Sequence, residues 1–175
     1  MLDTSLAARG VHFPEGELRW VPAVQRHLTL RFFDDLPEDR VEDVRGAAGA
    51  AAACVPCFDL DLEGVGCFPP RGPAKVVWVG CGAGREALVA LAEAISRALE
   101  SRRFPGDTRP FSPHLTLARA RNRRGSPAVA AALRAGAVVA GPLGRVRVER
   151  LLLIHSTLGS GPPRHDVLGA FPLAE

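Results

Sequence analysis

The sequence predicts an α+β fold: two pseudo-symmetric lobes of mainly antiparallel sheet, with outer helices and a central catalytic groove. Three observations lead there. A strand, helix, strand, strand order can be read twice along the chain. The tetrapeptide His-Leu-Thr-Leu occurs once in each half, at residues 27–30 and again at 114–117. Finally, 175 residues with 47% hydrophobic content suffice for one bilobal domain over 1–175, and no linker-like stretch divides it.

The first tetrapeptide reads as a strand because polar and apolar residues alternate: His27, Thr29 and Arg31 on one face, Leu28, Leu30 and Phe32 on the other. Pro37 then opens a helix to about Ala52, and strands follow near 57–62 and 75–80. The Gly/Pro-rich stretch 64–73 reads as a loop at the groove rim. GCGAG at 80–84 resembles a phosphate-binding turn but lacks the Lys-Ser/Thr of a P-loop, so it is read as a strand-to-helix connection. The helix from Arg85 to about Ser101 has Leu88, Leu91, Ala92, Ile95 and Leu99 on one face. Pro110 and Pro113 exclude a helix before the second tetrapeptide, whose strand sets His114 and Thr116 against Leu115 and Leu117. A helix over 126–135, with Ser126 as N-cap and Pro127 in its first turn, leads to strands at 145–156 and 164–171. The repeat reads as a diverged duplication whose pseudo-twofold axis makes His27 and His114 face each other.

Two imidazoles can take opposite protonation states near neutral pH, one giving a proton while the other accepts one. A threonine hydroxyl two residues on, sharing the face of its histidine, is a donor suited to a non-bridging phosphate oxygen. His27, Thr29, His114 and Thr116 together describe a phosphoryl-transfer site needing neither metal nor cofactor. Arg31 joins the site face by alternation and is a candidate phosphate or ribose contact. Strict alternation turns Arg119 away from His114, although its place at a strand end leaves this open.

The remaining composition narrows the class. No apolar run approaches the ~18 residues of a membrane span, and there is no signal-like N-terminus, so a cytoplasmic protein with no membrane partner is expected. Cys54, Cys57, Cys67 and Cys81 lack the paired spacing of a zinc site and read as reduced thiols. His12, His155 and His165 show no ligand spacing either. The net charge of +3 comes almost wholly from arginine against the single Lys75, in the manner of a GC-rich genome. Arg119, Arg121, Arg123 and Arg124 nonetheless cluster after the second motif, where a phosphate-bearing strand could be received, though a charged loop is usually only solvated.

The chain resembles the 2H phosphoesterases, a family named for two His-x-Thr-x motifs, and within it the RNA 2',3'-cyclic phosphodiesterase (2'-5' RNA ligase) branch. Beyond the tetrapeptides, the resemblance is carried by LRWVPAVQRHLTLRF at 18–32, LEGVGCFPPRGPAKVVWVG at 62–80, RPFSPHLTLAR at 109–119 and VLGAFPL at 167–173. It implies metal-independent hydrolysis of a 2',3'-cyclic phosphate at an RNA end to a 2'-phosphomonoester. His27 would be the proton donor, His114 the proton acceptor, and Thr29 and Thr116 the phosphate ligands. HLTLAR also looks like the family, which adds Arg119 as a substrate contact. The expected partners are RNA 3' ends or small cyclic nucleotides, with the protein a monomer. Other readings keep the site but change the substrate to another cyclic or 2'-5' linked nucleotide, reverse the reaction to ligation, or retain RNA binding alone. Phe68, Phe111 and the arginine cluster would decide among substrates. Family members open with a short strand and a helix where this chain has only MLDTSLAARGVHFPEGE, which implies that the first family strand is missing.

Overall fold

The computed structural model describes residues 12–107, 110–135, 142–157, 159 and 163–175. The elements are β1 (Leu18–Trp20), α1 (Val41–Ala52), β2 (Phe58–Phe68), β3 (Val76–Cys81), α2 (Arg85–Glu100), β4 (His114–Ala120), α3 (Pro127–Ala135), β5 (Pro142–Val148), β6 (Arg150–Thr157) and β7 (Arg164–Pro172). They form two compact units, each drawn from three segments: 1–29, 60–85 and 113–146 in the first, 30–59, 86–112 and 147–175 in the second. The α+β class stands, but the two sequence halves are not the two units. Strand β4 of the second half pairs antiparallel with β1 and β3 of the first. Both His-x-Thr pairs therefore fall in the first unit. The implied loss of an opening strand concerns residues 1–17, of which 1–11 lie outside the described residues.

A five-stranded sheet, ordered β1-β4-β3-β2-β5, organises the first unit. Leu62, Val79, Leu115, Leu117 and Leu143 make one buried cluster, with Leu28 and Val65 against it. Leu18, Ala74, Val77, Ala118, Val129 and Ala130 make a second, which is how α3 covers the apolar face. The Ser126 hydroxyl accepts a hydrogen bond from the Val129 N–H at 3.1 Å, the N-cap expected from the sequence, and Ser126 is fully buried. Alternation leaves the opposite face of β3 and β4 to other residues.

Two strands differ from the sequence reading. Strand β2 does not end at 62 but continues to Phe68 through the glycines read as a loop. Gly64 takes the extra place in a bulge between Glu63 and Val65 with a φ of 72°, a conformation glycine adopts without strain. The run expected as one strand over 145–156 is two, because β5 joins the five-stranded sheet while β6 pairs with β7. Between them, the Glu149 carbonyl accepts from the Leu173 N–H at 2.8 Å.

In the second unit, α1 and α2 bury Val44, Ala47, Ala48, Ala51, Leu91, Ala94, Ile95 and Leu99 against Leu151, Leu153 and Phe171 of the β6-β7 ribbon. The alternation predicted beyond the first tetrapeptide fails here. Phe32 is 67% exposed, while Leu30, Phe33 and Leu36 pack on this core. An i, i+3, i+6 spacing has replaced the period of two once the ladder has ended. No described helix is long and apolar enough to cross a membrane.

Strands β2 and β5 are also joined by a fork from Arg145, whose Nε and Nη2 donate to the two Asp61 oxygens at 2.6 and 3.1 Å. The Arg145 hydrogen bond and charge hold the Asp61 carboxyl below its ordinary value. A lowered carboxyl stabilises the fold above its unfolded-state pKa, and that contribution is lost as pH falls through the lowered one. Asp61→Asn should therefore melt below wild type at about pH 7, and the gap should close toward about pH 2. Thermal unfolding by circular dichroism at both pH values checks this. Ser126→Ala should cost about 1 kcal/mol in urea unfolding through loss of the cap.

Candidate active site

The first His-Leu-Thr-Leu reaches its place by an excursion from the sheet edge. Strand β1 pairs with β4 as far as Trp20 opposite Ala118, and the Val21 N–H donates to the Leu117 carbonyl at 2.8 Å. Pro22 has no N–H to continue the ladder, and the chain leaves through a 3-10 turn at Ala23–Gln25. The Arg26 Nε donates to the Val21 carbonyl at 3.0 Å and ties the two ends of the excursion together. The chain then returns to the same edge. Continuing the β1 register would put Ala23 opposite Leu115, but Leu28 bridges Leu115 instead. The strand expected around His27–Leu30 is thus a single antiparallel bridge on an extended segment, not a ladder.

That bridge places the four residues. With Leu28 opposite Leu115, His27 stands opposite Thr116 and Thr29 opposite His114. Leu28 and Leu115 both turn into the core, so the two His and two Thr share the other face. Burial follows suit: His27 and Thr29 are exposed, His114 and Thr116 half-buried, Leu115 buried. The two histidines are diagonal neighbours, for which separations near the backbone are about 7–8 Å. That spacing leaves one tetrahedral phosphate within hydrogen-bond reach of both rings. The bridge puts the two histidines on adjacent segments. The carbonyl of Gln25, at the end of the excursion, accepts from the His27 Nδ1–H at 2.8 Å.

Strands β2 and β3 add an aromatic wall. Trp78 pairs with Thr116 and Gly80 with His114 across β3 and β4. The Phe68 ring stands edge to face with the His114 imidazole, centroids 5.0 Å apart, and Trp78 is 5.4 Å from Phe68 and 6.4 Å from His114. Glycine makes room for this wall. A Cβ on Gly66 would lie 2.4 Å from the Trp78 ring, and one on Gly80 would meet the Glu63 carbonyl at 2.8 Å. Trp78 was not among the site residues read from the sequence. Its signal is the pair of glycines at same-face positions on and beside its strand. Phe68, read only as a pocket residue, lies against His114, whereas Phe111 belongs to the second unit.

The two arginines separate. In β4 a bulge sets Val77 opposite Ala118 but Trp78 opposite Thr116, leaving Leu117 as the extra residue. Leu117 and Ala118 are both fully buried, and alternation resumes with Arg119 exposed. The bulge thereby returns Arg119 to the face of His114 and Thr116, which strict alternation denies it. Arg31 instead ties down the segment ahead of the second motif: Nη1 pairs with Asp107 at 2.9 Å and Nη2 donates to the Pro105 carbonyl at 2.7 Å.

Among the described residues, no group of three or more His, Cys, Asp or Glu is placed to hold a metal ion. The four cysteines are free, and burial pushes the Cys67 and Cys81 thiols up, away from the thiolate form.

A family model described as the 2'-5' RNA ligase superfamily matches residues 6–159. An RNA 2',3'-cyclic phosphodiesterase of Aeropyrum pernix is 32% identical over 142 residues, spanning 81% of this chain and 78% of that protein. One from Thermus thermophilus is 33% identical over 159 residues, spanning 87% and 74%. Escherichia coli LigT, solved in complex with 3'-AMP, superposes with a TM-score of 0.73 at 26% identity, over 99% of this chain and 91% of that one.

Gly66→Ala tests the wall directly, since the added methyl cannot coexist with the Trp78 ring. In a Trp20→Phe background, which leaves Trp78 as the one tryptophan, it should shift the fluorescence emission and move the His114 ring resonances in NMR spectra. Unchanged spectra would refute the packing described.

Proposed function

This chain belongs to the 2'-5' RNA ligase superfamily, and on that footing we propose that it hydrolyses RNA 2',3'-cyclic phosphate ends to 2'-phosphomonoesters with its own side chains as acid and base. The observation that carries the reading is the Leu28–Leu115 bridge, which sets each motif histidine opposite the threonine of the other motif.

The cyclic phosphate sits over the four side chains, with its phosphorus between the two imidazoles. His114 takes a proton from water as the water oxygen forms its bond to phosphorus. The bond from phosphorus to O3' breaks, and the His27 Nε2–H delivers a proton to the departing oxygen. Fixing Nδ1 on the Gln25 carbonyl holds the ring in the orientation this transfer needs. Attack and departure lie on opposite sides of phosphorus, which a diagonal pair of histidines accommodates and two groups on one side would not. Charge grows on the non-bridging oxygens, and the Thr29 and Thr116 hydroxyls donate to it. Arg119 supplies positive charge on the same face. Arg31 acts at one remove, by holding Pro105 and Asp107. Phe68 and Trp78 exclude water from the His114 side.

The test is turnover of an oligoribonucleotide ending in a 2',3'-cyclic phosphate, with EDTA present and the product isomer read by phosphorus NMR. Wild type should form the 2'-phosphate. His27→Ala and His114→Ala should each lose about 10²–10⁴-fold in kcat. Turnover retained in either variant, or a 3'-phosphate product, would overturn the assignment.

A further inference from the structure

We infer that Arg19, standing beside Arg119, holds the phosphate one nucleotide upstream of the reacting end and so makes the protein prefer a polynucleotide terminus to a bare cyclic nucleoside phosphate. The inference deepens the function proposed above and rests on it.

Register is the first ground. Arg19 pairs directly with Arg119 across β1 and β4. Leu18 is buried in the core and Arg19 is exposed, so Arg19 lies on the opposite face of β1, and the β4 bulge brings Arg119 to that same face. Both guanidinium-bearing residues thus share the face of His27, Thr29, His114 and Thr116. Strand β1 and the His27 segment also run along one edge of β4, so Arg19 occupies the row next to His27 and Thr116.

Charge is the second ground. Like charges directly opposite each other on one sheet face destabilise the pair. Neither Arg19 nor Arg119 has an ion pair among the described residues. The next row is arranged differently, because Arg121 stands opposite Glu17, tied by the Arg121 N–H to the Glu17 carbonyl at 2.9 Å. Opposed arginines beside a phosphoryl-transfer site, with a complementary pair one row out, are the arrangement an anion completes.

Spacing is the third ground. Strand rise puts the arginine row about 7 Å from the row of Thr116 and His27. An arginine side chain spans that range, and the next phosphate of a polynucleotide falls within it. When the terminal cyclic phosphate occupies the histidines, the 5'-phosphate of the same nucleotide reaches Arg19 and Arg119. A nucleoside 2',3'-cyclic phosphate with a 5'-hydroxyl leaves the pair uncompensated.

Adenosine 2',3'-cyclic phosphate with and without a 5'-phosphate isolates this one group. Wild type should process the 5'-phosphorylated compound with a kcat/KM about tenfold higher, mostly through KM, and the advantage should shrink as salt rises. Arg19→Gln should remove most of that ratio, and Arg19→Lys should restore part of it. Arg97→Gln, which removes one positive charge from the exposed pair with Glu93 on α2, should keep the full ratio. Melting temperatures should show Arg19→Gln at least as stable as wild type, since it relieves a like-charge pair. Equal kcat/KM for the two compounds in wild type, or a ratio that Arg19→Gln leaves intact, would overturn the inference. Failure of wild type to turn over either compound would instead overturn the phosphodiesterase reading beneath it.

Discussion

The bridge between Leu28 and Leu115 is the contact on which the rest of this site depends. It is an apolar contact that positions polar chemistry: the buried Leu115 and the half-buried Leu28, both turned to one face of the sheet, force their neighbours onto the other. A slip of one residue would bury His27 and Thr29 and expose leucine, at a cost of about 1.5–3 kcal/mol for each large apolar side chain returned to water. The register is therefore held by the core, and the histidines need not attract each other to be brought together.

Departures from regular pairing do the remaining positioning. The excursion after Val21 moves the chain off the β4 edge and returns it with Leu28 where Ala23 would have been. It also delivers the Gln25 carbonyl to the His27 ring. The bulge at Leu117 buries two consecutive residues and turns Arg119 to the site face. Gly64 lets β2 run on far enough to carry Phe68, and Gly66 leaves the space the Trp78 ring fills. Bulges are known to re-aim side chains in this way near functional sites. Here each one changes which residues share the face of the two histidines.

Arg31 illustrates the limit of reading a role from alternation. By period it belongs with His27 and Thr29, but pairing is limited to the single bridge at Leu28, and the backbone beyond is under no obligation to keep the period. Its guanidinium is spent on Asp107 and the Pro105 carbonyl, with the side chain only 12% exposed. A mostly buried charge of this kind is held because removing its partner would leave it uncompensated. The same loss of period leaves Phe32 in solvent and moves Phe33 to the core.

By itself the sequence determined the α+β class, the three helices, the N-cap at Ser126, and the two His-x-Thr pairs with a leucine behind each histidine. All of these are local: they follow from periodicity, capping and the alternation of a strand, and neighbours along the chain are enough to specify them. Only the tertiary structure decided that both pairs lie in one unit, that each histidine stands opposite the other motif's threonine, that Trp78 and Phe68 wall the site, and that Arg119 rejoins it with Arg19 at its side. Those facts depend on which strands pair and at what register, and on two bulges and one excursion. Register between segments some ninety residues apart is set by how two apolar faces close on a common core. No window of sequence contains both.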